Sequence, residues 1–170
     1  MYFSGFCLSN EQELFNEYLI ENDFTVSGFS YGAQKAVEYV LNTNNRIDTL
    51  QLFSPSYFNN RDTKYKRMQV IYFGKDNKAY CDNFLNNCGI EKEIHDKYFK
   101  MGTSEQLEDL LTYEWSKEKL QLIVNKGIDI EVYLGTEDKI INSKKACEFF
   151  KDFSEVYYIK EKGHILWKVK

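Results

Sequence analysis

The sequence predicts an α/β protein: a small, mainly parallel sheet with helices on both faces and a helical cap inserted at residues 56–125. Three observations carry that prediction. Strand-like and helix-like apolar patterns alternate as β-α-β-α-β at the start of the chain and as α-β-α-β at its end. The middle breaks this rhythm and reads as helix. The length, 170 residues, suits one domain spanning 1–170 and is enough to bury a core.

Each element has its own signal. "MYFSGF" reads as a short first strand. Ser9 with Gln12 makes a capping-box pair, and Leu14, Phe15, Tyr18 and Leu19 then form a helical stripe. "DFTVSGF" predicts the second strand, followed by Ala33, Ala36, Val37, Val40 and Leu41 at helical spacing. "IDTLQLFSP" predicts the third. Inside the insertion, Thr103 and Gln106 make another capping box, and Leu107, Leu110, Leu111, Leu120, Ile123 and Val124 supply an apolar face. "QVIYFG" is a weak strand pattern there. "IDIEVYLG" predicts the fourth strand, Ala146, Phe149 and Phe150 mark a helix, and "SEVYYIK" is the last strand. The sheet therefore has about five strands, a normal size. The fourth strand alternates Ile128, Ile130, Val132 and Leu134 with Asp129, Glu131 and Tyr133. A strand buried on both faces would be more uniformly apolar. Either one face is thinly covered there or the strand lies near an edge.

Composition narrows the function classes. Apolar residues at 43% and aromatics at 16% predict a folded core. A net charge of -4 exerts no general pull on nucleic acid. The first residues lack a basic stretch and a long apolar run, so no signal peptide is expected. Nothing approaches the roughly 18 apolar residues of a membrane span. Cys7, Cys81, Cys88 and Cys147 form no C-x-x-C pair, and His95 and His164 are the two histidines. That argues against zinc and for free thiols in a reducing cytoplasm.

The chemistry centres on Gly28-Phe29-Ser30-Tyr31-Gly32. A bare G-x-S-x-G is weak, but this one ends a predicted strand and opens a predicted helix. That is the placement a nucleophile elbow needs. Small residues at 28 and 32 permit a sharp turn that lifts Ser30 above the sheet. A serine hydroxyl needs a base. His164, in "EKGHILW" after the last strand, is better placed than His95 in the charged "KEIHDKYF". The base needs an acid, and "YLGTEDKI" offers Asp138, with Glu137 as the alternative. A polar turn would account for that segment by itself. Chain order decides: serine, acid and histidine each fall just past a strand, in the hydrolase sequence Ser-Asp-His. An oxyanion hole needs two donors. The N–H of Tyr31, next to the nucleophile, is one. The N–H of Phe6, in "FSGFC" after the first strand, is the other, with Gly5 letting the backbone turn. Cys7 in that loop has no assigned base and reads as a packing residue.

With these residues in place the chain resembles the α/β-hydrolase superfamily. More narrowly, it is similar to the short bacterial pimeloyl-[acyl-carrier protein] methyl ester esterases of biotin synthesis. The resemblance runs through "FSGF", "SGFSYGAQKA", "LFSPSYF", the helical middle, "EVYLGTEDKI" and the late "GH". It puts the family's nucleophile on Ser30, its acid on Asp138, its base on His164 and its oxyanion donors on Phe6 and Tyr31. The chain departs from larger hydrolases in having Ser4-Gly5 where His-Gly is common. The sequence shows no pattern for the leading antiparallel strands or for the strand usually found before the elbow strand, so neither is expected. With six residues after His164, a terminal helix is expected to be short or absent.

The resemblance implies an esterase that removes methyl from the pimeloyl-carrier ester through an acyl-serine, without metal or organic cofactor, with acyl carrier protein as partner. An acidic carrier calls for a basic rim, and a long acyl arm for an apolar channel. "RDTKYKR" supplies Arg61, Lys64, Lys66 and Arg67 as the candidate docking patch. Tyr57, Phe58, Tyr72, Phe73 and Trp115 are candidates to line the channel. A thioesterase or broad short-chain carboxylesterase would use the same triad. An inactive hydrolase-fold binding module is the third reading.

Overall fold

A computed structural model describes residues 1–169. Its five strands form one sheet: β1 (Tyr2–Phe3), β2 (Thr25–Phe29), β3 (Thr49–Phe53), β4 (Asp129–Gly135) and β5 (Glu155–Ile159). They lie in the order β1-β2-β3-β4-β5, and every pair is parallel. The strands fall in the segments the sequence marked.

Alternation along the strands sorts the helices onto faces. Gly28 of β2 presses on Gly32 of α1 (Tyr31–Asn42). Register then puts Leu50, Leu52, Ile130, Val132 and Leu134 on that face, with Tyr158 beside Leu134. The α6 helix (Lys117–Asn125) packs against α1 and β4. The α7 helix (Ser143–Phe150) reaches Tyr158 through the Ser143 hydroxyl at 3.3 Å. The opposite face carries a short 3-10 helix, Gln12–Phe15, whose Phe15 ring packs on Phe29 and Phe53. The β1–β2 and β2–β3 connections both step the same way across the sheet but pass over opposite faces. They are therefore of opposite hand, against the usual uniform right-handedness.

This thin face accounts for the alternation in β4. The strand also lies near an edge: it is next to β5, an edge strand that exposes Tyr157 and Tyr158. On the thin face Gln51 donates to Glu131 (2.8 Å) and to the Tyr18 carbonyl (3.0 Å), and accepts from the Ile20 N–H (2.9 Å). Tyr133 adds a bond to Glu131 at 2.8 Å. Polar side chains stay on this face because a loop supplies their partners.

Two expectations need correction. Ser9 does not cap a helix: the segment forms only the 3-10 turn, with Glu11 at its start and no side-chain cap. Glu11 instead turns inward and is fully buried, which commits this stretch to the loop after β1. The weak strand pattern "QVIYFG" is helical and lies in α2 (Thr63–Lys75). Of its apolar residues Phe73 is buried against Phe6 and Tyr80, while Ile71 and Tyr72 are exposed.

Between β3 and β4 run α2, α3 (Asn77–Cys88), α4 (Lys92–Tyr98), α5 (Ser104–Thr112) and α6. Thr103 and Gln106 form the expected capping box at α5. These helices and their linkers touch the loops after β1, β3 and β4 and the helix after β2. Gly102 sits against Phe6 and Cys7, the Leu110 carbonyl accepts from Gln34, the Trp115 indole donates to the Ser56 carbonyl, and Ile140 lines one cavity with residues of α2, α3 and α5.

Candidate active site

The Ser30 turn is built by two glycines and held by backbone hydrogen bonds on both sides. A Cβ on Gly28 would overlap the Gly32 carbonyl, and a Cβ on Gly32 would overlap the Phe3 carbonyl. Neither position tolerates a larger residue. Ser30 itself has φ 52° and ψ -110°, a conformation that costs a non-glycine residue about 1–3 kcal/mol. The turn is over-determined by its neighbours. The Ser30 N–H donates to the Phe53 carbonyl at 2.9 Å. The Ser30 carbonyl accepts from the Ala33 N–H (3.2 Å), the Ser56 N–H (3.3 Å) and the Ser56 hydroxyl (3.1 Å).

The loops after β4 and β5 are tied to each other. Gly135 leaves no room for a side chain beneath the Lys162 and Gly163 carbonyls. The Glu137 N–H donates to the Lys162 carbonyl at 2.9 Å. Beyond His164 the chain folds back, with Gly163 N–H on the Trp167 carbonyl and the Trp167 indole on the Leu14 carbonyl, both 2.9 Å.

This frame brings three distant residues into line. His164 Nε2 lies 3.0 Å from Ser30 Oγ, and His164 Nδ1 lies 2.6 Å from Asp138 Oδ2. Asp138 Oδ1 accepts the N–H groups of Ile140 (2.7 Å) and Ile141 (3.1 Å). The carboxylate can only accept, so it holds the proton on Nδ1 and leaves Nε2 as acceptor for the serine hydroxyl. Ser30, His164 and the Asp138 side chain are all fully buried. In this low-dielectric setting their mutual attraction is strong. The arrangement can withdraw a proton from Ser30 and stabilise the resulting imidazolium.

Phe6 is buried beside this turn's strand, and Tyr31 is the first residue of α1, where a backbone N–H has no intrahelical acceptor. Among the described residues the Phe6 N–H has no acceptor either.

The other sequence candidates fall elsewhere. Glu137 is exposed and bonded to Thr136, not to His164. His95 pairs with Asp82 and Asp96 and stacks on Phe99. Cys7 is buried; a hydrogen bond with Cys81, then burial, raises its thiol far above the usual range, which suits packing rather than attack. Arg61, Lys64 and Arg67 are exposed at the start of α2, and Lys66 is half-buried. None of the four forms an ion pair among the described residues.

Of the five aromatics, Phe58 lines a cavity of about 110 Å³ bounded by Tyr65, Phe84, Leu107, Leu111 and Ile140. The other four do not line it. Tyr72 is exposed, Phe73 packs on Phe6, and Tyr57 and Trp115 pack on Phe150. Sequence reasoning missed Glu11, buried behind the β1 loop, and Gln34, which bridges Ser56 and Leu110. Neither sits in a motif. Among the described residues no cluster of His, Cys, Asp and Glu could hold a metal, and no helix is long and apolar enough to cross a membrane.

No family model and no curated protein matches the chain. Solved structures do. BioG from Haemophilus influenzae matches with TM-score 0.60 at 13% identity, over 96% of this chain and 87% of that one. Bromoperoxidase from Bacillus anthracis matches with TM-score 0.63 at 17% identity, over 84% and 60%. Naproxen esterase (carboxylesterase NP) from Bacillus subtilis matches with TM-score 0.54 at 18% identity, over 84% and 53%. The chain thus spans little more than half the length of the carboxylesterase. At these identities the likeness is one of fold: the chain has the α/β-hydrolase fold.

Proposed function

We propose that the protein is a serine carboxylesterase that hydrolyses the methyl ester of pimeloyl-acyl carrier protein. The observation that carries the hydrolase reading is the unbroken Ser30–His164–Asp138 chain at a strained strand-to-helix turn. In the first step His164 Nε2 takes the Ser30 proton as Oγ bonds to the ester carbon. The oxyanion rests on the Phe6 and Tyr31 N–H groups. The carbon–methoxy bond then breaks, and methanol leaves with the proton from His164. In the second step the same histidine deprotonates water, which cleaves the acyl-serine and restores the hydroxyl.

The finer substrate assignment rests on three supports. The sequence resemblance runs the length of the chain, and BioG matches it nearly end to end. The cations at the N-terminal end of α2 oppose the helix dipole there, an arrangement that raises the local positive potential an acidic carrier would meet. Tyr65 and Gln69 of that helix also line the cavity beside Ile140, whose N–H holds Asp138; we take this cavity as the acyl site, which sets the patch next to it. We take 56–125 as a cap, with α6 as its return crossover. Since the triad is sealed, substrate access requires the cap helices to move.

The test is hydrolysis of methyl esters and thioesters of pimelate, on and off carrier. The expected result is preferential turnover of the carrier-linked methyl ester, abolished in Ser30→Ala. Reversing Arg61, Lys64, Lys66 and Arg67 should reduce turnover on carrier far more than off it. Preference for thioesters would move the assignment to a thioesterase. Well-folded protein that turns over none of them would favour a binding module.

A further inference from the structure

We propose that Glu11 is a positioning residue for the oxyanion hole, holding the loop after β1 so that the Phe6 N–H stays available to the oxyanion. This rests on the esterase reading above. Glu11 is completely buried, although its neighbours in "SNEQE" look like a solvated segment. Its Oε1 accepts the Gly5 N–H at 2.7 Å and the Tyr2 hydroxyl at 3.1 Å. Its Oε2 is buried with no partner among the described residues. Burial, then the charge of Glu11, raises the Tyr2 hydroxyl well above its usual value, so Tyr2 remains a donor. Burying a carboxylate with one oxygen unsatisfied works against stability. A fold seeking only stability has an easier solution at this position, which points to a functional use.

The use follows from where the loop's N–H groups go. Gly5 N–H is taken by Glu11, Leu8 N–H by the Gly5 carbonyl (3.3 Å), Ser9 N–H by the Tyr98 carbonyl (2.9 Å) and Asn10 N–H by Ser4 Oγ (3.1 Å). From Gly5 to Asn10 that leaves Phe6 and Cys7 with N–H groups that have no acceptor among the described residues. Gly5 also lies against the ring of Phe29, the residue before the nucleophile; a Cβ there would come within 2.6 Å of it. The loop is thus pressed onto the elbow. The Glu11–Gly5 bond fixes the Ser4–Gly5 peptide, and the Leu8 N–H on the Gly5 carbonyl fixes the next one, which carries the Phe6 N–H. Without Glu11 the Gly5 N–H has no buried acceptor, and the Ser4–Gly5 peptide can rotate to satisfy it, turning the Phe6 peptide at its neighbour.

The test compares Glu11→Gln, Glu11→Ala and Glu11→Met on a p-nitrophenyl ester and in binding an alkylboronic acid, which forms a tetrahedral adduct with the serine. Glutamine keeps an acceptor oxygen. Methionine keeps the volume without the acceptor and serves if the alanine cavity prevents folding. The expected result for Glu11→Ala or Glu11→Met is a fall in kcat of about 10- to 100-fold. KM should stay within about twofold and boronate affinity should weaken by the same factor as kcat, with Glu11→Gln within about threefold of wild type. Folded Glu11→Met with wild-type kcat, lost kcat with intact boronate affinity, or Glu11→Gln as impaired as Glu11→Met would each overturn the proposal. So would failure of both apolar variants to fold, which would make the role structural. Inactive wild-type protein would instead sink the esterase reading itself.

Discussion

Replacing Asp138 with asparagine exchanges one oxygen for an NH2 group, and the surroundings dictate which one. Oδ1 takes two backbone N–H groups, at 2.7 and 3.1 Å, while Oδ2 faces His164 Nδ1 at 2.6 Å. The asparagine carbonyl must occupy the Oδ1 position. The reverse orientation would set an NH2 against two N–H donors and forfeit two buried hydrogen bonds, about 1–3 kcal/mol each. Even the lower total, about 2 kcal/mol, favours the first orientation roughly thirtyfold. The NH2 then donates to Nδ1, so the imidazole proton moves to Nε2, which can no longer accept from Ser30. Triads disabled in this way lose about 10⁴ in kcat, equivalent to about 5.5 kcal/mol of barrier. KM should change little and the fold should be intact, because the substitution is nearly isosteric. The assay is steady-state hydrolysis of a p-nitrophenyl ester, with the imidazole tautomer read by ¹⁵N NMR. A kcat within tenfold of wild type would refute the reasoning, as would lost activity with the proton still on Nδ1.

Three further outcomes follow from the geometry. Ser30→Gly should be more stable than Ser30→Ala by about 1 kcal/mol, because glycine adopts φ 52°, ψ -110° without strain; equal thermal midpoints would count against a strained elbow. Gly32→Ala drives a Cβ into the Phe3 carbonyl, a backbone atom that cannot yield, and should cost more than about 3 kcal/mol or prevent folding. A thermal midpoint unchanged from wild type would contradict this. Burial works against the Glu38 carboxylate, but bonds from Lys119 and Tyr113 (2.6 and 2.8 Å) outweigh it and hold the carboxyl below its ordinary value. A lowered folded value means stability that is present above the unfolded value near 4.3 and lost as pH falls through the folded one. With Glu38 40% exposed, the contribution stays below about 1 kcal/mol. The stability gap between wild type and Glu38→Gln should therefore exist at pH 7 and shrink as pH falls below the unfolded value; a gap that widens on acidification has the wrong sign.

What the sequence made legible is what local chemistry encodes. The five strands are apolar runs bounded by turn residues, and the elbow is a spacing that two glycines and a serine impose on a strand-helix junction. Ser30, Asp138 and His164 each stand just past a strand, so a parallel sheet brings them to one end. The features that stayed hidden depend on tertiary context. Glu11 reads as a surface residue until the partner of Gly5 is known. Ser9 carries the right capping pair, but the burial of Glu11 withdraws the chain from a helix start. Gln51 and Glu131 look misplaced in central strands until the Tyr18–Ile20 segment supplies their hydrogen-bond partners. Tyr57, Tyr72, Phe73 and Trp115 have the right composition for a channel, but composition does not tell which way a ring faces.

The most direct measurement is labelling with a fluorophosphonate followed by peptide mass spectrometry. The account predicts one modification, on the peptide carrying Ser30, lost in Ser30→Ala and strongly slowed in His164→Ala. Folded protein left unmodified, or modified at another serine, would contradict it.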